Sequence, residues 1–442
     1  MQIQLSDRFS YKKLLRFTLP SIVMMIFTSI YGVVDGFFVS NFAGKTPFAA
    51  VNFIMPFIMI LGAFGFMFGT GGSALISKTM GEGDMPKANR LFSMLVYISL
   101  LAGIVIAVLG MVFIRPIAAL LGAKGAMLDG CVLYGRIILA VIPAFMLQME
   151  FQSFFITAER PQLGLAVTVA AGVTNMALDA LFVAVFPWGI AGAAVATAIS
   201  QIVGGLIPLV YFARPNKSRL RLTKFTYDGK ALLKTCTNGS SELMSNISMS
   251  LVGMLYNVQL IKYAGEDGVA AYGVLMYVSM IFMAAFIGYS IGTAPVIGFH
   301  YGAQNHQELK SLRKKSLVLV VTFSVVMLIL GEVLARPLST LFVGYDPQLF
   351  EMTLRGFAIY SFSFLFSGIA IFGSGFFTAL NNGLVSALIS FLRTLVFQIA
   401  AVLILPLIWG VDGIWVSIVV ADLMAAAVTA AFLVGMRRKY RY

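Results

Sequence analysis

Cysteine and histidine are almost missing from this chain, with two of each in 442 residues. Cys131 and Cys236 are too few and too far apart to form a disulfide framework or a cysteine-based metal cluster. With only His300 and His306 available, there is no His-Glu-x-x-His metal motif, and Gly-x-Ser-x-Gly is absent too. The common hydrolase constellations are therefore excluded. Charge is also scarce: only 11% of residues are charged, against about a quarter in ordinary soluble domains. Acids are the scarcer sign, 18 against 31 bases. A soluble core of this length is excluded, because 60% of the chain is hydrophobic. The glycine patch Gly69-Thr70-Gly71-Gly72-Ser73 lacks the lysine a phosphate loop needs, which leaves close helix packing as its reading.

What is present is a series of long apolar runs. Crossing about 30 Å of hydrocarbon takes roughly 20 residues, and twelve runs qualify, at about 14–40, 48–76, 91–114, 130–157, 163–186, 189–213, 235–261, 269–297, 316–335, 352–380, 384–408 and 412–436. The first is too long for a signal-peptide core, has no small-residue cleavage site, and is expected to stay as a helix. Basic residues collect on one side: Lys12, Lys13 and Arg16; Lys78, Lys87 and Arg90; the stretch from Arg214 to Lys234; Lys310 to Lys315; and Arg437 to Arg441. The positive-inside rule then places both termini in the cytoplasm. The net charge of +13 is juxtamembrane charge facing anionic lipid, and no nucleic-acid partner is expected. His300 and His306 fall in a loop on that side and are expected to be solvated.

The chain repeats itself 221 residues later. Arg115-Pro116 returns as Arg336-Pro337, Phe155 as Phe376, Thr157-Ala158 as Thr378-Ala379, and Gly71, Gly81, Gly189 and Gly192 as Gly292, Gly302, Gly410 and Gly413. This marks a duplication with almost no net insertion and predicts an all-α membrane protein of two six-helix repeats. The divisions are 1–212, a basic cytoplasmic linker at 213–234, and 235–442. Parallel membrane repeats are a transporter architecture, with cargo bound between the halves.

Acids inside such helices cost roughly 2.5–3.5 kcal/mol each on insertion scales, so each marks a candidate site. Asp35 lies near the outer end of the first span, and Asn175 and Asp179 share a face of the fifth. At about 1.5 Å per residue, these three, Tyr134 and Thr197 reach one level some 7–17 Å below the outer surface. Adding 221 turns Asp35, Tyr134, Asn175 and Asp179 into Tyr256, Arg355, Val396 and Ala400, so a carboxylate pair belongs to the first half alone. Glu242 on the seventh span is the acid of the second half. Glu150 is expected to pair with Gln148 or Gln152, Glu332 with Arg336, and Arg393 with an acid or backbone carbonyls. Pro20 removes a backbone hydrogen bond fifteen residues before Asp35, which makes it a candidate conformational hinge.

These features together resemble the multidrug and toxic compound extrusion (MATE) family. The resemblance rests on the Pro20-x14-Asp35 spacing, the Asn175-x3-Asp179 pair, and the turn Gly189-Ile190-Ala191-Gly192-Ala193-Ala194 echoed by Gly410-Val411-Asp412-Gly413-Ile414-Trp415. It extends over nearly the whole chain and is closest to the prokaryotic DinF-like branch. It implies a V-shaped two-lobe transporter in the prokaryotic cytoplasmic membrane, expected to be a monomer without a cofactor. The implied activity is antiport of amphipathic, often cationic organic compounds against H⁺ or Na⁺ by alternating access. Carried over, Asp35, Tyr134, Gln152, Asn175, Asp179 and Thr197 form the cation-coupling cluster, with Na⁺ at Asp35, Asn175, Asp179 and Thr197 as one form of it. The branch usually has asparagine where Gln152 stands. Glu242, Asp35 and Asp179 are the expected substrate contacts. The helix-ten acid of the NorM-like branch is missing between Tyr360 and Leu380. The rival reading is a lipid-linked oligosaccharide flippase, which needs a basic cavity, for example one lined by Arg136, Arg355 and Arg393.

Overall fold

The computed structural model describes residues 2–442, and among them there is no β-strand. Residues Tyr11–Ala43 form α1, Lys45–Gly81 α2 and Met85–Leu120 α3. Helix α4 is the bent pair Gly125–Ala140 and Ile142–Thr157, turned by 60°. Pro161–Val185 and Gly189–Ala213 form α5 and α6. Next comes a continuous helical stretch, Gly229–Gly302, of 74 residues. At 1.5 Å per residue it is about 110 Å long, far more than one bilayer. It breaks at Gly265, whose φ of 66° an L side chain rarely adopts, into α7 (229–264) and α8 (266–302). His306–Val343, Pro347–Ala379, Gly383–Trp409 and Val411–Gly435 form α9 to α12, making twelve spans. Arg437–Tyr440 adds a short α13. The non-helical connection between the halves is 214–228, shorter than the expected linker because Asp228 caps α7 by accepting from the Ala231 N–H.

The duplication is visible in the backbone. Positive φ angles recur at Gly44 and Gly265, Gly83 and Gln304, Glu159 and Asn381, and Gly189 and Gly410, at offsets of 221 or 222. The first spans depart from this: α1 is capped by Ser10 and α7 by Asp228, an offset of 218, so the copies differ by a few residues at that end.

Helix α2 shares the most extensive contact in the molecule with the stretch 229–302 that comprises α7 and α8, and its contact with α8 is reciprocal. A Cβ on Gly81 would lie 2.0 Å from the Phe299 carbonyl oxygen, and one on Gly302 would lie 2.0 Å from that of Lys78. Lys78 and Phe299 are themselves repeat mates, as are Gly81 and Gly302, so the contact has the self-complementary form of a two-fold axis. Likewise α2 crosses α7 through Gly71 and Gly239, and α8 crosses α1 through Gly288 and Gly292. Small residues at these crossings let backbones touch, which supplies packing where the hydrophobic effect between lipid-immersed helices is weak.

All these crossings lie toward the basic end. There Asn238 Nδ2 donates to Asn381 Oδ1 (2.7 Å), and Asn381 Nδ2 donates to the Ala74 carbonyl (3.2 Å). The N-terminal segment ties the halves further: Leu5 N–H donates to Glu159 (2.8 Å) and Phe9 N–H to Glu308 (2.9 Å). Toward the other end the helices stand apart. A Cβ on Gly32, Gly253 or Gly273 would find no heavy atom within 4 Å. The halves meet at the basic end, and toward the opposite end these faces of α1, α7 and α8 are open.

Candidate functional site

The residues expected to meet in the first half do meet, with one exception. Asp35, half-buried on α1, lies beside Asp179 on α5 and Thr197 on α6. Asn175 Nδ2 donates to Thr197 Oγ1 at 3.2 Å. The fully buried Tyr134 of α4 stands beside Thr197 and both carboxyls, and its hydroxyl also meets Met55 Sδ at 3.6 Å. Asp179 is fully buried and Asn175 nearly so. Helix geometry accounts for the gathering: Asn175 and Asp179, four apart, face the same way, and α5 widens into a π-helical turn, Ala180–Val185, immediately after Asp179.

The site is rich in acceptors and poor in donors. Asp35 Oδ1, both Asp179 carboxylate oxygens and Asn175 Oδ1 are buried and receive no hydrogen bond from the protein. Buried acceptors left unpaired are costly, roughly 1–3 kcal/mol each. Such an arrangement accommodates a proton on a carboxyl, or a hard cation among oxygens.

Gln152 is the exception. It lies eighteen residues beyond Tyr134, past the bend in α4, buried with its Nε2 unbonded, and it makes no hydrogen bond to any member of the cluster. The glutamine that approaches is Gln148, one turn earlier on the same helix, through Tyr31 of α1, which in turn stands near Asp35. Tyr31 and Gln148 add a polar rim that the sequence reading did not assign. Pro20 is buried in an unbroken part of α1 at the crossing with α8, where the neighbouring Ser21 Oγ donates to the Gly288 carbonyl at 2.9 Å.

In the second half, Arg393 finds an acid. Its Nε donates to Asp422 Oδ1 on α12 at 3.3 Å, and Asp422 is 2% exposed. Sequence reading passed over Asp422, although an acid midway along an apolar run carries the same signal as Asp35. Glu242 of α7 stands near Arg393, as does Tyr360 of α10. At the repeat counterpart of Asp35, Tyr256 donates to Gln398 Oε1 at 2.6 Å and stacks on Tyr272. The acid site of the first half is thus replaced by a tyrosine cluster.

Other expectations are corrected. Both carboxylate oxygens of the fully buried Glu150 lack hydrogen-bond partners, and the polar side chain beside it is Ser99 of α3, not Gln148 or Gln152. Arg336 does not pair with Glu332 but lies over the Phe350 ring at 5.8 Å. His300 is not solvated: it is 2% exposed at the end of α8. Cys131 and Cys236 are free.

Relatives place this architecture. The MatE family model matches residues 20–181 and 243–404, one copy on each half. Among curated proteins, the chain is 25% identical to the multidrug export protein MepA of Staphylococcus haemolyticus over 434 residues, 97% of this chain and 94% of that one. It is 24% identical to MepA of Staphylococcus aureus strain MRSA252 over 417 residues, 94% of this chain and 92% of that one. Among solved structures, a multidrug resistance MATE transporter of the MOP superfamily in an outward-facing conformation superposes with a TM-score of 0.94 at 22% identity, over 100% of this chain and 98% of that one. A MOP superfamily transporter from Pyrococcus furiosus, described as having a binding pocket of reverse polarity, superposes at 0.91 and 22% identity, over 98% of each chain. With its two six-helix halves each carrying a copy of the family's unit, the chain belongs to the MatE family, whose members are secondary membrane transporters and not enzymes.

Proposed function

We propose that the protein exports amphipathic, often cationic organic compounds from a prokaryotic cell across the cytoplasmic membrane, driven by inward flow of H⁺ or Na⁺. The observation that carries this reading is the donor-poor cluster of Asp35, Asp179, Asn175, Thr197 and Tyr134, whose buried oxygens a proton or a cation completes. With the basic end in the cytoplasm by the positive-inside rule, the open end faces outward. Neutralising two like charges changes the cost of burying them and so biases which lobe conformation is favoured. By reciprocity, cargo and cation that favour opposite states weaken each other's binding. Asp35, Asp179 and Glu242 offer negative charge to a cationic cargo, and the relatives named as multidrug export proteins support that class. The flippase alternative needs its arginines together. Here Arg355 is bound bidentately to Asp412, Arg393 is bound to Asp422, and Arg136 lies on an exposed face of the other half.

The test is transport of a cationic dye by purified protein in vesicles under an imposed pH gradient and, separately, an imposed Na⁺ gradient. Acceleration by at least one gradient is expected. Dye movement indifferent to both would overturn the coupled-antiport reading.

A further inference from the structure

The connection between the halves, 214–228, is pinned along the first turns of α3. Arg221 N–H donates to Asn89 Oδ1 (2.9 Å), Thr223 N–H donates to Ser93 Oγ (2.7 Å), and the Tyr97 hydroxyl donates to the Thr223 carbonyl (3.3 Å). Phe225 packs edge-on against Tyr97 with ring centroids 6.3 Å apart. A connection fixed in this way leaves a groove of about 630 Å³ between the start of α3 and the start of α7, with Lys87, Arg90 and Leu91 on one side and Tyr227, Asp228 and Lys230 on the other. Its charge is uncompensated. Lys87, Arg90 and Lys230 are exposed and enter no ion pair among the described residues, and the one acid in the lining, Asp228, already caps α7 through Oδ1. The groove also lies where the apolar run of α3 begins, at Leu91. Exposed Phe225 and Tyr227 beside it match the aromatic residues found at headgroup level. On the face of α3 that carries Arg90, Leu101, Ile104 and Val108 are exposed about three, four and five turns further on, a strip suited to acyl chains.

We infer that this groove binds the phosphodiester headgroup of an anionic phospholipid from the leaflet at the basic end, with Lys87 and Arg90 meeting the phosphate from the first half and Lys230 from the second. A guanidinium can hold two phosphate oxygens side by side, and the lysines add point charges. Asp228 limits the charge of the ligand. Three cations against one carboxylate suit a monoanionic diester better than a nucleotide or another polyanion, and Asp228 Oδ2 is left to accept from a headgroup hydroxyl such as those of phosphatidylglycerol. Because α3 and α7 belong to different halves, one lipid held by both braces the basic end in its closed form. The site is separate from the Asp35 and Asp179 cluster and does not depend on the cargo or on the coupling ion.

The experiment uses delipidated full-length protein in a neutral detergent, where no charged surface attracts lipid non-specifically. The probes are phosphatidylglycerol and phosphatidylcholine carrying the same fluorescent label on an acyl chain. The wild type should prefer phosphatidylglycerol, and equal affinities would overturn the proposal even if no variant folds. Lys87→Gln/Arg90→Gln should weaken phosphatidylglycerol binding about tenfold or more, and Lys230→Gln about threefold or more. Lys310→Gln/Lys314→Gln removes the same charge from exposed positions elsewhere at the basic end and should change binding less than about twofold. Equal weakening by the two double variants would reduce the groove to diffuse basic attraction, and unchanged binding in Lys87→Gln/Arg90→Gln would remove the site; either result overturns the proposal. An indifferent Lys230→Gln would overturn the bracing of the two halves. A parallel arm adds inorganic phosphate as competitor. At equal concentration it should not displace the lipid, and displacement would assign the groove to a soluble anion instead.

Discussion

Asp35 and Asp179 sit side by side with three of their four carboxylate oxygens enclosed and unbonded, so what distinguishes them from packing residues is titratable charge and not volume. Asp35→Asn and Asp179→Asn each remove that charge with almost no change of shape. Both variants should insert and fold, and both should lose gradient-driven efflux in vesicles. Wild-type-like coupled efflux in the two variants would remove the first-lobe cluster from the mechanism. Glu242 has a different environment, accessible and beside a single arginine. Glu242→Gln should weaken transport of a cationic dye about ten- to hundredfold in affinity and leave a neutral compound largely unaffected, since a lost charged contact matters only to a charged partner. Equal loss of both cargoes, compared in the same vesicles, would move Glu242 into the coupling machinery.

Among the helices, the informative contrast lies within α7. A Cβ at Gly239 would stand 2.0 Å from the Met67 carbonyl oxygen of α2, whereas one at Gly253 on the same helix meets nothing within 4 Å. Backbone cannot move aside as a flexible side chain can, so Gly239→Ala must push α2 and α7 apart at an overpacking cost of about 1–3 kcal/mol. Gly253→Ala, with free space and better helix propensity, should be neutral or slightly stabilising. Thermal unfolding in detergent should therefore separate the two variants by several degrees, and equal midpoints would show that the α2–α7 crossing does not bear on stability. Legibility also differed between helices. Asn175 and Asp179 could be placed on one face from spacing alone, but that Gln148 of α4 meets Tyr31 of α1 is a contact between two helices, and the 60° bend of α4 that helps set it leaves no mark in a hydrophobic pattern.

For the molecule as a whole, the proposed export by alternating access requires the basic-end contact between the halves to open. Ser77 on α2 and Gly298 on α8 meet there, with a Cβ built on Gly298 lying 3.4 Å from the Ser77 Cβ, close to the separation a disulfide spans. In a background with Cys131 and Cys236 replaced, the pair Ser77→Cys/Gly298→Cys should cross-link under oxidation, stop export, and regain it on reduction. Export that continues unchanged in the fully cross-linked protein would mean that this contact never opens.

Sequence by itself determined the membrane class, the twelve spans and the duplication, and it grouped Asp35, Tyr134, Asn175, Asp179 and Thr197 at one level of their helices, because hydropathy and helical rise are local quantities that add along the chain. It also showed that Arg393 needed a partner. Tertiary structure alone decided that the partner is Asp422, that Glu150 has none, that His300 is buried, and that the halves close at the basic end through reciprocal glycine contacts. Each of these depends on how separate helices rotate and cross, and a side chain's neighbours on another helix are set by packing, which has no period along the sequence.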